Sequence, residues 1–171
     1  LGPLQGRAAI PLERDFTVRV WRHEHGLPDS RVLSVLCSRA GPIWVGTRKG
    51  VARFDGARFL TWGRGTDPDF TSEECIALAE DAEGVIWVGT PENLLALDDR
   101  ARRIDPAAVG LAGLFPEGQM PASVLLVTRE GDLLVGTGRG VVRRNASGQW
   151  SAHSLAPAGH RRESTYSLHQ D

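Results

Sequence analysis

An all-β chain built from repeated four-stranded blades is predicted by three observations. The pentad IWVGT stands at 43–47 and again at 86–90, and LLVGT at 133–137 keeps its last three letters. Each copy follows a short apolar run and a glycine, Gly41, Gly84 or Gly131, and is itself followed, three residues past its threonine, by Gly50, Asn93 or Gly140. The repeat recurs every ~40–50 residues, without the 3.6-residue pattern of helical repeats, which is the signature of a β-propeller blade.

The elements follow in chain order. Residues 1–15 read as a leader or linker, and LGPLQGRAA suits the remnant of a removed targeting segment as well as an arbitrary starting point. Residues 16–31 read as an outer strand, FTVRVW, with a lead-in loop. Blades then occupy 32–62, 75–104 and 123–153. Each opens with an apolar strand and turns at its glycine into a second strand. There Ile43, Val45 and Thr47 face one way and Trp44 and Gly46 the other, because strand side chains alternate. Both faces are mostly apolar, so this strand is expected to be covered on both sides.

Gly46, Gly89 and Gly136 weaken a strand unless something packs closely there, and the expected neighbour is a large side chain such as a Trp. Gly50, Asn93 and Gly140 are residues that tolerate positive φ, so all three are expected to serve one tight turn. Third strands at 51–54, 94–97 and 141–144 end at DG, DD and NASG, which are hairpin-turn residues. Fourth strands RFLTW, RRI and QWSAH complete the blades, and Pro- and Gly-rich loops at 63–74, 105–122 and 154–164 join them. YSLHQD at 166–171 aligns with IALAED at 76–81, which places the first strand of a truncated fourth blade at 165–171. The expectation is an incomplete propeller of about three and a half blades with no closed ring, a piece of a longer protein whose edges lie open.

Composition narrows the function. Twenty Lys+Arg stand against 21 Asp+Glu, without the basic excess of a nucleic-acid binder. No apolar run is long enough to span a membrane, so neither nucleic acid nor membrane is expected as a partner of this segment. Cys37 and Cys75 have no metal-binding spacing. In the common register they fall at opposite ends of their first strands, so they are expected as free, mostly buried thiols.

The stretch GLPDSRVLSVLCSRAGPIWVGTRKGVARFDGARFLTW at 26–62 resembles the two-component regulator propeller repeats of bacterial signalling receptors. The carriers are the turn glycine, the hydrophobic-Trp-hydrophobic-Gly-Thr strand, the glycine three residues on and the ARFDG-like strand. The likeness is strongest in the first unit, departs at Asn93 and LLALDD in the second, and lacks the Trp in the third, where Leu134 stands. The resemblance implies a periplasmic sensing region ahead of a membrane segment and an intracellular output module. It also implies partners: an oligosaccharide or other small ligand, the remaining blades of the same receptor, or a second copy. The alternatives are a fragment of a carbohydrate-active propeller enzyme, lyase or glycosidase, and a structural protein-interaction scaffold.

The turns after the second strands share a side with the inter-blade loops, and loops on a rigid scaffold carry function. Arg48, Lys49, Arg139 and Arg161 on that side are the ligand-binding candidates, against the simpler reading of solvated turn charges. Trp44 and Trp87 sit mid-strand and are expected to pack between blades, and Trp21, Trp62 and Trp150 to be structural. Thr47, Thr90 and Thr137 recur in every unit and are expected to fix the turn by hydroxyl bonding. His23 and His25 share a face if extended, half of a metal site without a third ligand, so no metal and no cofactor are expected. EDAEG at 80–84 matches the Asp-box turn of sialidases poorly, and no catalytic acid pair, triad or phosphate loop is identified. Binding without catalysis is the expectation.

Overall fold

The computed structural model describes residues 18–97, 101–105, 107–154 and 168, the side chains of 101, 153 and 154 excepted. The fold is all-β: three four-stranded antiparallel sheets, one per repeat, each meandering in sequence order. Blade 1 comprises β1 (Val32–Cys37), β2 (Ile43–Thr47), β3 (Gly50–Phe54) and β4 (Phe59–Trp62). Blade 2 comprises β5 (Ala77–Glu80), β6 (Ile86–Gly89), β7 (Leu94–Leu97) and β8 (Ala101–Arg103). Blade 3 comprises β9 (Val124–Val127), β10 (Leu133–Thr137), β11 (Gly140–Arg144) and β12 (Trp150–Ser154). First strands lie side by side, β1 against β5 and β5 against β9, so the blades follow one another around their first strands. No sheet closes on itself among the described residues.

Each β1–β2-type hairpin is made by one local device. Gly41, Gly84 and Gly131 have φ of 105°, 85° and 87°, which only glycine adopts cheaply. Three residues earlier a short polar side chain accepts from the turn's backbone: Ser38 Oγ from Ala40 N, Asp81 Oδ1 from Glu83 N and Val85 N, Thr128 Oγ1 from Asp132 N. At the β3–β4 hairpin of blade 1, on the same end of the sheet, backbone N–H groups of Arg58 and then Ala57 hold the Asp55 carboxyl below its ordinary range.

The core lies between blades. Trp44, Val51, Cys75, Ile86, Val88 and Leu97 pack together between blades 1 and 2. Trp87, Leu94, Met120, Leu133 and Val135 do so between blades 2 and 3. The Trp of each WVGT strand therefore faces the next blade, while the Ile and Val on either side of it face the preceding one.

That rule explains a departure from expectation. The second strand of blade 1 is covered on one side only: Ile43 is 38% exposed and its equivalent Ile86 2%, because Ile86 meets blade 1 and Ile43 has no described blade before it. Val35, 60% exposed, and Cys37 share this open face. Cys37 is thus not buried as expected, whereas Cys75, inside the joint, is. The expected strand at 16–21 is irregular over its described part, 18–21. Trp21 instead packs on Phe54 and Phe59, with ring centroids at 4.8 and 5.5 Å, and covers the outer half of the same face. The expected first strand of a fourth blade, at 165–171, lies outside the described residues apart from Leu168.

The mid-strand glycines answer to backbone rather than to a Trp. A Cβ on Gly46 would stand 2.5 Å from the Cys75 carbonyl oxygen, and one on Gly89 2.5 Å from that of Ala122. At these points the next blade begins, and its first amide donates back to the threonine carbonyl: Cys75 N to Thr47 O at 2.9 Å, Ala122 N to Thr90 O at 3.0 Å. Only a residue without a side chain lets the two main chains approach this closely. Glu80 adds a polar clasp to the first joint by accepting from Ser38 Oγ and Arg39 N.

Candidate functional site

The turn after each second strand is held by its threonine, buried in all three blades. Thr47, Thr90 and Thr137 hydroxyls donate to the carbonyls of Gly50, Asn93 and Gly140 at 2.8, 2.9 and 2.8 Å. They also accept from backbone amides inside the turn, Lys49 N, Asn93 N and Arg139 N. The side chains at the turn tips are thereby presented on a rigid base.

Gly50 and Asn93 meet different demands, contrary to the expectation of one shared conformation. Gly50 has φ of 128° and lies against the Trp62 carbonyl, a region of backbone space that belongs to glycine. Among the described residues no non-glycine has positive φ. Asn93 keeps ordinary backbone geometry, and its Nδ2 donates to Thr71 Oγ1 at 2.6 Å.

Of the four basic candidates, Arg161 lies outside the described residues. Arg48 is bound to Glu74, with Nε and Nη2 both 2.6 Å from Oε1. Arg139 Nη2 stands 3.7 Å from Glu117. Both carboxylates come from inter-blade loops, so turns and loops do share one face, and there they neutralise each other. Lys49 has no carboxylate partner among the described residues.

Lys49 borders an open cleft of about 270 Å³ that Pro28, Trp62, Arg64, Thr66 and Glu73 also line. Trp62 stacks on Trp44, centroids 5.3 Å apart, which fixes its ring at the cleft wall. Thr66 Oγ1 accepts from Gly63 N, pinning the Gly63–Thr66 turn. Sequence reasoning read Trp62 as structural only and did not single out Arg64 or Glu73. The signal was a Gly-flanked arginine directly after a fourth strand, in a loop with no counterpart in the other units.

Several other charged or titratable groups have structural work. Asp81, 1% exposed, accepts from Trp87 Nε1 at 2.8 Å besides capping its turn. Asp132 pairs with Arg143 at 2.7 Å and accepts from Ala146 N. His23–His25 forms a 3-10 turn rather than an extended pair. His25 Nδ1 accepts from Arg22 N, and His23 Nδ1 donates to Leu27 O at 2.8 Å. No cluster of three or more metal-ligating side chains occurs among the described residues.

Sheets of this repeat pattern invite comparison with known propellers. Residues 69–92 match the family described as "Two component regulator propeller". The resemblance read from the sequence holds, although the matched stretch lies in the second unit and not in the first, where the likeness was expected to be strongest. Three solved structures from B. thetaiotaomicron are similar in fold. One is the extracellular domain of a protein described as a hybrid two component system, with TM-score 0.60 and 16% identity over 77% of this chain and 18% of that one. Another is the extracellular domain of one described as a one component system, with TM-score 0.55 and 22% identity over 74% of this chain and 17% of that one. A third, again described as a hybrid two component system, gives TM-score 0.56 and 19% identity over 81% of this chain and 18% of that one. The chain thus spans less than a fifth of the length of each of those proteins. No curated protein matches the chain in sequence.

Proposed function

We propose that these blades form part of the extracytoplasmic ligand-sensing propeller of a bacterial signalling receptor, binding without catalysis. The observation that carries the reading is the family match at 69–92, set in a fold shared with extracellular domains of signalling systems. Two features of the molecule support it. The turns and inter-blade loops gather on one rigid face with an open cleft, the arrangement by which loops on a scaffold bind ligands. The best-buried carboxylate, Asp81, is saturated by donors that hold a turn and a Trp, which favours binding over acid chemistry. Lys49 remains the basic candidate available to a ligand, while Arg48 and Arg139 serve as braces between turn and loop.

Location and ligand are tested separately. A fusion of alkaline phosphatase downstream of these blades in the complete gene is active only when exported; an inactive, cytoplasmic fusion refutes the extracytoplasmic reading. A thermal-shift screen of neutral and acidic saccharides against the protein then tests sensing. Stabilisation by at least one member is the expected result, and a silent screen counts against ligand binding.

A further inference from the structure

We infer that the cleft between Lys49 and Arg64 takes a ligand with one carboxylate on a hydroxylated ring, such as an acidic monosaccharide unit; this deepens the sensing reading and rests on it. The argument begins with charge. Arg48 and Arg139 on this face each have a glutamate partner, whereas Lys49 and Arg64, both exposed at the same cleft, have none among the described residues. Two cations lining one cleft, without a carboxylate partner among the described residues, attract an anion and can donate the charge-assisted bonds that a carboxylate accepts.

Glu73 lines the same cleft and sets the valence. Two cations and one carboxylate leave a single positive charge, which matches a monoanion; a dianionic phosphate would leave the cleft with a net negative charge. Glu73 in turn is an acceptor for a ligand hydroxyl. Size points the same way: about 270 Å³ is near the lower end of small-ligand pockets, ~300 Å³, room for one ring. Trp62 and Pro28 supply apolar wall for that ring, with Trp62 already immobilised by Trp44 and so losing little freedom on binding.

The test is calorimetric titration of the full chain with glucuronate, glucose and glucose 6-phosphate at low ionic strength. Glucuronate is expected to bind on the order of tenfold tighter than the other two. Lys49→Gln and Arg64→Gln are each expected to weaken it by about tenfold, the worth of one charge-assisted bond. Arg58→Gln, at the far hairpin beside Asp55, should leave it unchanged. Thermal unfolding checks that both cleft variants, altered only at exposed side chains, remain folded. Glucuronate binding no tighter than glucose or glucose 6-phosphate overturns the inference, as does parental affinity retained in both cleft variants. Either of those results leaves the sensing reading standing. Silence from the three probes overturns the inference alone if another saccharide stabilises the protein, and both readings if none does.

Discussion

Replacing Gly89 by alanine tests the joint between blades 2 and 3. The added methyl would stand 2.5 Å from the Ala122 carbonyl oxygen and 3.2 Å from Ala77 Cβ, whereas carbon–oxygen contacts settle near 3.3–3.6 Å, so one chain must retreat by roughly 1 Å. Crowding of this kind costs about 1–3 kcal/mol. The retreat also stretches the Ala122 N–H to Thr90 O bond, now 3.0 Å, which adds about 0.5–1.5 kcal/mol. Alanine's stiffer unfolded chain returns about 0.4–1 kcal/mol. The net loss is about 2 kcal/mol, which lowers the melting temperature of a chain of this size by roughly 4–8 °C. Scanning calorimetry reads the shift. Gly138→Ala is the matched comparison, since nothing lies within 4 Å of a Cβ there, and it should melt at or slightly above the parent temperature. A Gly89→Ala protein as stable as the parent would refute the reasoning.

Two further outcomes follow from buried groups. Asp81→Asn should lower the urea midpoint by the equivalent of about 2–3 kcal/mol, since one amide oxygen cannot accept from Trp87 Nε1 and two backbone amides together; the Trp87 indole proton resonance should move with it, and an unshifted midpoint would exclude the role. Burial pushes the Cys75 thiol up to about 12 from 9.0, so the native protein should show one thiol reactive at pH 8, Cys37, and a second only on unfolding. Because the folded pKa is the higher one, Cys75 leaves stability unchanged below about pH 9 and erodes it as pH rises toward 12, by up to ~1.4 kcal/mol per unit. Cys75→Ala should flatten that slope relative to the parent, and an identical slope would show that the thiol is not its source.

The blades were legible in the sequence because each part of the repeat is fixed by contacts a few residues away. Ser38, Asp81 and Thr128 are different residues, yet each caps its glycine turn by accepting from a backbone amide two or four residues on, and the threonines lock their hairpins within three residues. What stayed hidden depends on distance in sequence. The exposure of Cys37 follows from the absence of a described blade against its face, which no local pattern reports. Arg48 and Arg139 read as free charges because their partners Glu74 and Glu117 sit in loops without a repeat. Asn93 was misread for a subtler reason: its tolerance for positive φ is real, but blade 2 never asks for it, and the amide spends its side chain on Thr71 instead. Trp62 was read as structural alone, and Arg64 escaped notice, because a cleft is a property of neighbouring loops, not of either alone.

The bond from the first amide of one blade to the threonine carbonyl of the last has an evolutionary corollary. This coupling is spelled in main chain, and the one demand it makes of sequence is a missing side chain beside it. A duplicated unit therefore carries its own connector, and the array can grow or shrink by whole units without a new interface having to be invented. Identities of 16–22% between this chain and solved structures of similar fold are what a linkage of this kind permits, since it leaves the side chains of the surfaces free to diverge.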